Sequence, residues 1–202
     1  MPFNVNAFKT RGLFYGGARP SLFDIQLSVP QGIGIDNLTV QNFSFVARAT
    51  ELPASEVASF DVPYFGRKIK LAGDRTFADW RVTVMNDEDF AVRAMFEKWS
   101  NAINRMVANV RDPGLDNEVV GYKTDVLIQQ WSKDGFLIRS YVLVGAFPTT
   151  IDAISVDWNS TNAVEEYAVT FAYDYWVPGQ QSSIKKHSGV NVYDPGVGQF
   201  VG

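Results

Sequence analysis

Apolar and polar residues alternate with period two over several stretches, the pattern of strands with one buried face. In Ser21–Val29, Phe23, Ile25, Leu27 and Val29 share a face, with Asp24, Gln26 and Ser28 opposite. Gln41–Thr50 reads the same way, with Phe43, Phe45, Ala47 and Ala49 on one side. Tyr64–Leu71 and Thr76–Met85 are two further strand-like runs joined by the turn Ala72-Gly73-Asp74-Arg75. Trp80, Val82 and Val84 are the inward set of the second run. Beyond Asn86 the spacing changes to that of a helix: Val92, Met95, Phe96, Trp99, Ile103 and Met106 fall on one stripe. Asn86 is placed to cap that helix, and Asp87, Glu88 and Asp89 suit the positive end of its dipole.

Arg111-Asp112-Pro113-Gly114 then interrupts regular structure. Tyr122–Ser132 and Phe136–Gly145 form a hairpin across Lys133-Asp134-Gly135, whose Asp-Gly is a tight-turn signature. Ala153–Trp158 is a short strand and Asn159-Ser160-Thr161-Asn162 a turn. Glu165–Val177 is the longest strand, ended by Pro178-Gly179. The expected architecture is mainly β, a sandwich or half-barrel with one flanking α-helix. Residues 1–20 form an N-terminal arm, 21–178 the domain and 179–202 a Gly-, Ser- and Lys-rich C-terminal tail.

At 202 residues, 46% of them hydrophobic and 14% aromatic, the chain is large enough for one domain with a substantial core. The net charge of −4 argues against a protein that neutralises phosphates by a large basic surface. With no cysteine, disulfides, thiolate catalysis and cysteine metal sites are excluded. No apolar run approaches the roughly 20 residues of a membrane helix, and the first ten residues hold no signal-peptide core. A soluble protein used in a cytoplasm is expected.

Chemistry has few places to reside. His187 is the one histidine, and it lies beside Lys185-Lys186 in the Gly/Ser-rich tail, away from any orienting partner. The three carboxylates at 87–89 are accounted for by helix capping. Arg67, Lys68 and Lys70 make one local basic cluster, read as a solvated strand face. No catalytic, cofactor or metal site is expected, and no enzyme activity. The stretch Leu52–Pro63 is different. Its Leu52, Val57 and Phe60 follow neither a strand nor a helix period, so a loop there has no evident way to bury them. Pro53 and Pro63 stiffen its ends, which lowers the entropy lost on docking. Leu52, Pro53, Val57, Phe60 and Pro63 are therefore the expected contact between subunits.

The longest ordered motif, PYFGRKIKLAGDRTFADWRVTVMNDEDFAVRAMFEKWSNAIN (Pro63–Asn104), resembles the tail tube protein family of contractile-tailed bacteriophages. Arg19-Pro20-Ser21-Leu22-Phe23, Tyr122-Lys123-Thr124-Asp125, Lys133-Asp134-Gly135 and Gly145-Ala146-Phe147-Pro148-Thr149 are similar to it in the same order. So are Asp157-Trp158 and Phe171-Ala172-Tyr173-Asp174-Tyr175-Trp176. The resemblance spans about residues 19–177. It implies a virion subunit that forms hexameric rings stacked into the inner tail tube. It also implies tail sheath, baseplate, tail terminator and tape-measure proteins as partners, and DNA as transient lumen cargo. A tube subunit of a phage-derived injection machine would share the fold. A β-rich binding module is the alternative from another class, distinguished by staying small at high concentration.

Overall fold

Phe171 collects much of the core. Its ring lies 5.4 Å from Trp80, 5.8 Å from Phe96 and 6.3 Å from Trp99, centroid to centroid, and Phe96 in turn meets Phe43 edge-on at 5.5 Å. These aromatics come from two strands and two helices. In the computed structural model, which describes residues 16–113, 115, 121–181, 185–187 and 190–192, the protein is mainly β. The strands are β1 (Phe23–Leu27), β2 (Ala47–Thr50), β3 (Glu56–Tyr64), β4 (Arg67–Thr76), β5 (Trp80–Met85), β6 (Thr124–Trp131), β7 (Leu137–Ile151), β8 (Glu166–Ala172) and β9 (Tyr175–Gln181), followed by the short β10 (Lys185–His187) and β11 (Val190–Val192). The helices are α1 (Asn37–Val46) and α2 (Ala91–Ile103).

The chain divides into two compact units, residues 25–128 with 141–177, and residues 1–24 with 129–140 and 178–202. The main sheet has the strand order β1-β6-β7-β8-β5-β2, with β9 also on β7. The expected alternation holds in β5, where Trp80, Val82 and Val84 are buried, and in β8, where Tyr167, Val169 and Phe171 are. Helix α2 buries Val92, Met95, Phe96, Trp99 and Ala102. The Trp99 indole Nε1 donates to the Tyr122 carbonyl at 2.9 Å. In the smaller unit, the turn at Lys133-Asp134-Gly135 forms as expected. Gly135 N–H donates to the Ser132 carbonyl, Ser132 N–H donates to the Phe136 carbonyl, and Gly135 takes a φ of 79°. Residues 1–15 of the arm and most of the tail lie outside the described residues.

Several elements differ from the sequence expectation. Gln41–Val46 belongs to helix α1, so the described residues hold two α-helices where one was expected. The apolar set there fits both periods, and the core decides. Val40, Phe43 and Ala47 turn inward at helical spacing, while Phe45, which a strand would bury beside Phe43, is 82% exposed. Helix α2 begins at Ala91 instead of near Asn86. Phe90 precedes it in the left-handed region (φ 55°), and Asp89 Oδ1 accepts from Ala91 N–H. Asn86 is no cap: its N–H and Nδ2 are both given to Glu165, which ties the end of β5 to the start of β8. Burial, with the hydrogen-bonded and like-charged Asp89 adding to it, pushes the Asp87 carboxyl above its usual range.

Helix α2 ends before Met106, which is exposed. Ala153–Trp158 is not a strand, because β7 itself runs on to Ile151. The run Glu165–Val177 breaks at Tyr173-Asp174 into β8 and β9, and β9 passes through Pro178-Gly179. The break has a visible lock. Asp174 N–H donates to the Val144 carbonyl at 3.0 Å, and its carboxylate takes Lys123 Nζ at 2.7 and 2.9 Å.

Candidate subunit interface

Leu52–Pro63 is no loop. From Glu56 onward it is strand β3, paired antiparallel with β4 in a two-stranded sheet of its own. The register Phe60↔Leu71, Val62↔Ile69, Tyr64↔Arg67 puts the reversal at Phe65-Gly66. Both residues have positive φ, 44° and 78°, the conformation of a tight hairpin turn whose twist matches its strands. The expected turn at Ala72–Arg75 is therefore inside β4. An irregularity in pairing falls there, where Gly73 lies against Ala58 so closely that a Cβ would sit 3.3 Å from the Ala58 carbonyl oxygen. Pro63 is tolerated in β3 because each strand of a two-stranded ribbon is an edge, with one side free of ladder bonds.

Register sorts the side chains. Residues directly opposite one another share a face, so Phe60, Val62, Tyr64, Ile69 and Leu71 form one apolar face, joined by Arg67. The other face carries Ser59, Asp61, Pro63, Lys68, Lys70 and Ala72, with Lys68 Nζ 3.7 Å from Asp61. All five apolar residues are exposed, Phe60 by 53%, and Phe65 at the tip is 91% exposed. The base of the hairpin is held firmly. Trp80 Nε1 donates to the Glu51 carbonyl at 2.9 Å, Trp176 Nε1 to the Ala54 carbonyl at 3.1 Å, and Arg75 Nη1 to Ser55 Oγ at 3.2 Å.

Of the five residues picked out in the sequence, only Phe60 sits within the apolar face. Pro63 lies on the opposite face, Val57 lies at the irregularity, and Leu52 and Pro53 belong to the stem before β3. Val62, Tyr64, Ile69 and Leu71 were missed. Their signal is present in the sequence as two short alternating runs around Phe65-Gly66, an X-Gly reversal that the flanking prolines obscure. Arg67, Lys68 and Lys70, read as one solvated cluster, are divided by register: Arg67 with the apolar face, the lysines opposite.

An ordered scaffold with an exposed, amphipathic hairpin is what a self-assembling structural protein presents, and comparison with known proteins defines the class. The model of the phage tail tube protein family matches residues 18–178. The chain belongs to that family. It is 36% identical over 165 residues to tail tube protein gp19 of Enterobacteria phage T4, covering 79% of this chain and 90% of that protein. The corresponding protein of Enterobacteria phage T6 is 37% identical over the same length. Among solved structures, a chain of the anti-feeding prophage baseplate superposes with a TM-score of 0.59 at 11% identity. That alignment covers 80% of this chain and 95% of that one, a likeness of fold. The protein is thus a structural component of a phage tail, part of the tail tube of the virion.

Proposed function

We propose that the chain is the repeating subunit of the inner tube of a contractile tail. Copies close into hexameric rings, the rings stack, and the hollow product is the conduit for DNA ejection. The carrying observation is the β3–β4 hairpin: pinned at its base, apolar on one face, and exposed along the whole of that face in the single subunit. A two-stranded ribbon is marginal on its own and gains from docking, and an apolar patch of this kind marks an interaction surface. Leu52, Pro53, Val57, Phe60 and Pro63 mark the segment, and the apolar face centred on Phe60 makes the contact with a neighbouring copy. The tube is enclosed by sheath, begins at the baseplate, is closed by a terminator and holds a tape-measure protein before DNA passes. The role calls for shape, stiffness and weak affinity for cargo, and for no bond to be made or broken.

The test is Phe60→Asp. It is expected to leave a folded subunit by circular dichroism and to prevent tube formation by negative-stain microscopy. Tubes at the wild-type concentration would show that the hairpin face is not the contact. Loss of folding would place Phe60 in the subunit's own core.

A further inference from the structure

Another exposed apolar feature of the larger unit is the connection between β7 and β8. Trp158 at its tip is 100% exposed, and Val156 and Val164 beside it are exposed too. This is a built turn. Asp157 Oδ1 accepts from the Asn159 N–H at 3.0 Å, and Ser160 N–H donates to the Asp157 carbonyl at 3.1 Å. The turn thus presents a fully exposed indole to water. Beside it lies an open cleft of about 400 Å³, half of its lining apolar (Val156, Trp158 and Val164 among it) and half polar, with Asp157, Glu165 and Glu166 in its wall, within the size range of small binding sites.

The charges around the loop are one-sided. Asp152, Asp157, Glu165 and Glu166 occur from 152 to 166 with no Lys or Arg. Asp152 is paired with Arg81 and Glu166 with Arg48, which leaves Asp157 and Glu165 as the negative charges next to the indole. The hairpin tip has the complementary character. Phe65 stands almost fully free, Tyr64 stacks edge-on against it at 4.6 Å, and Arg67, Lys68 and Lys70 outnumber Asp61. An aromatic knob with basic flanks matches a cleft that offers an exposed indole and valines together with carboxylates, and an exposed Trp is a good surface for a guanidinium. Knob and cleft are different patches of one chain, so pairing them between copies makes a heterologous contact, the kind that builds rings and stacks.

We propose that the Tyr64–Arg67 tip of one copy docks on the Trp158 loop of a second copy, with Phe65 entering the cleft and Arg67 against the indole. This rests on the self-assembly proposed above. The test is a double-mutant cycle on the concentration at which tubes form, read by sedimentation and microscopy. It uses Trp158→Ala, Phe65→Asn and the pair. Asn tolerates the positive φ at residue 65, so the turn survives loss of the ring. Each single change is expected to raise that concentration by about tenfold or more, the effect of losing a central aromatic anchor. The pair is expected to raise it by clearly less than the product of the two, because both remove one contact.

Should a single change abolish assembly altogether, Trp158→Phe and Phe65→Leu are read in the same cycle by the same criteria. Tubes at the wild-type concentration for either residue, or effects that multiply, would overturn the proposal. Normal tubes from Trp158→Ala that fail to retain another tail protein would assign the loop to that protein instead, which also overturns it. A wild-type chain that stays monomeric at all concentrations would refute the assembly reading itself, a result separate from those of the variants.

Discussion

Replacing Trp99 by alanine tests the core and the helix register together. The side chain is 0% exposed, packs against Phe171, and gives its indole N–H to the Tyr122 carbonyl. An aromatic of this size buries about 150–250 Å², worth about 25 cal/mol per Å² on burial. Taking about 200 Å² gives roughly 5 kcal/mol, of which the retained alanine methyl keeps about 0.8 kcal/mol. The orphaned Tyr122 carbonyl adds about 1 kcal/mol unless water reaches it. The expected loss is therefore about 4–5 kcal/mol, at the upper end of the range for large aromatic truncations.

Trp99→Phe keeps much of the ring contact and loses the hydrogen bond, so about 2 kcal/mol is expected for it. Urea unfolding reports both, provided the m-value is unchanged. Because self-association adds stability by mass action, the measurement belongs in the Phe60→Asp background or below the assembly concentration. A loss below about 1 kcal/mol for Trp99→Ala would refute the packing argument, since no truncation of a fully buried indole is that mild.

Two further substitutions probe other parts of the subunit. Gly145→Ala is expected to destabilise by about 2 kcal/mol or more. Residue 145 has φ 69°, and a Cβ there would run into the Asp174 carboxylate that holds Lys123; unfolding equal to wild type would show that β7 and Asp174 separate freely. Tyr167→Phe is expected to cost less than about 1 kcal/mol at pH 7, or to stabilise, because it removes a buried hydroxyl without a hydrogen-bond partner and keeps the ring under the Arg93 guanidinium at 5.0 Å. Burial holds the Tyr167 phenol above its ordinary pKa, with Arg93 opposing and Asp87 and Glu97 adding. The stability this group contributes is thus present below the unfolded value near 10 and lost as pH rises beyond it, by at most about 1.4 kcal/mol per pH unit. Urea titrations at pH 7 and pH 11 should show a shallower alkaline loss for Tyr167→Phe, and identical slopes would contradict this.

The parts of the fold that were legible in the sequence share one property: a single pattern accounts for them. Trp80–Val84 alternates and nothing competes with that reading. The stripe Val92–Met95–Phe96–Trp99 can only be helical, and Asp134-Gly135 can only turn. The parts that were not legible are those where two patterns coincide. Residues 40–47 satisfy both periods, and the choice is made by Phe96, distant in sequence, which accepts Phe43 and leaves Phe45 outside. The capping signal at Asn86–Asp89 is real chemistry in the wrong place. Asn86 is drawn off to Glu165, and the carboxylates sit in the turn before the helix, with Asp89 accepting from its first N–H.

The hairpin was illegible for a different reason, and that reason bears on function. Local sequence reading looks for a way to bury apolar residues within the chain, and in β3 and β4 there is none: the strand pairing is complete and the face remains outside. An apolar set that looks aperiodic because its prolines mimic a loop becomes a regular face once paired, and it is still unburied. A monomer would carry such a face as an aggregation hazard. In the assembly proposed above, copies that cover one another's hairpins would turn the hazard into the driving force, and the anchor of the hairpin would set its aim. The Trp80 indole bond fixes that anchor on the same core that α2 packs against, and the Trp176 bond adds a second tie from β9. Loosening the Trp176 tie, as in Trp176→Phe, is therefore expected to disturb tube formation seen by negative-stain microscopy before it disturbs the circular dichroism of the subunit, and normal tubes at the wild-type concentration would refute this.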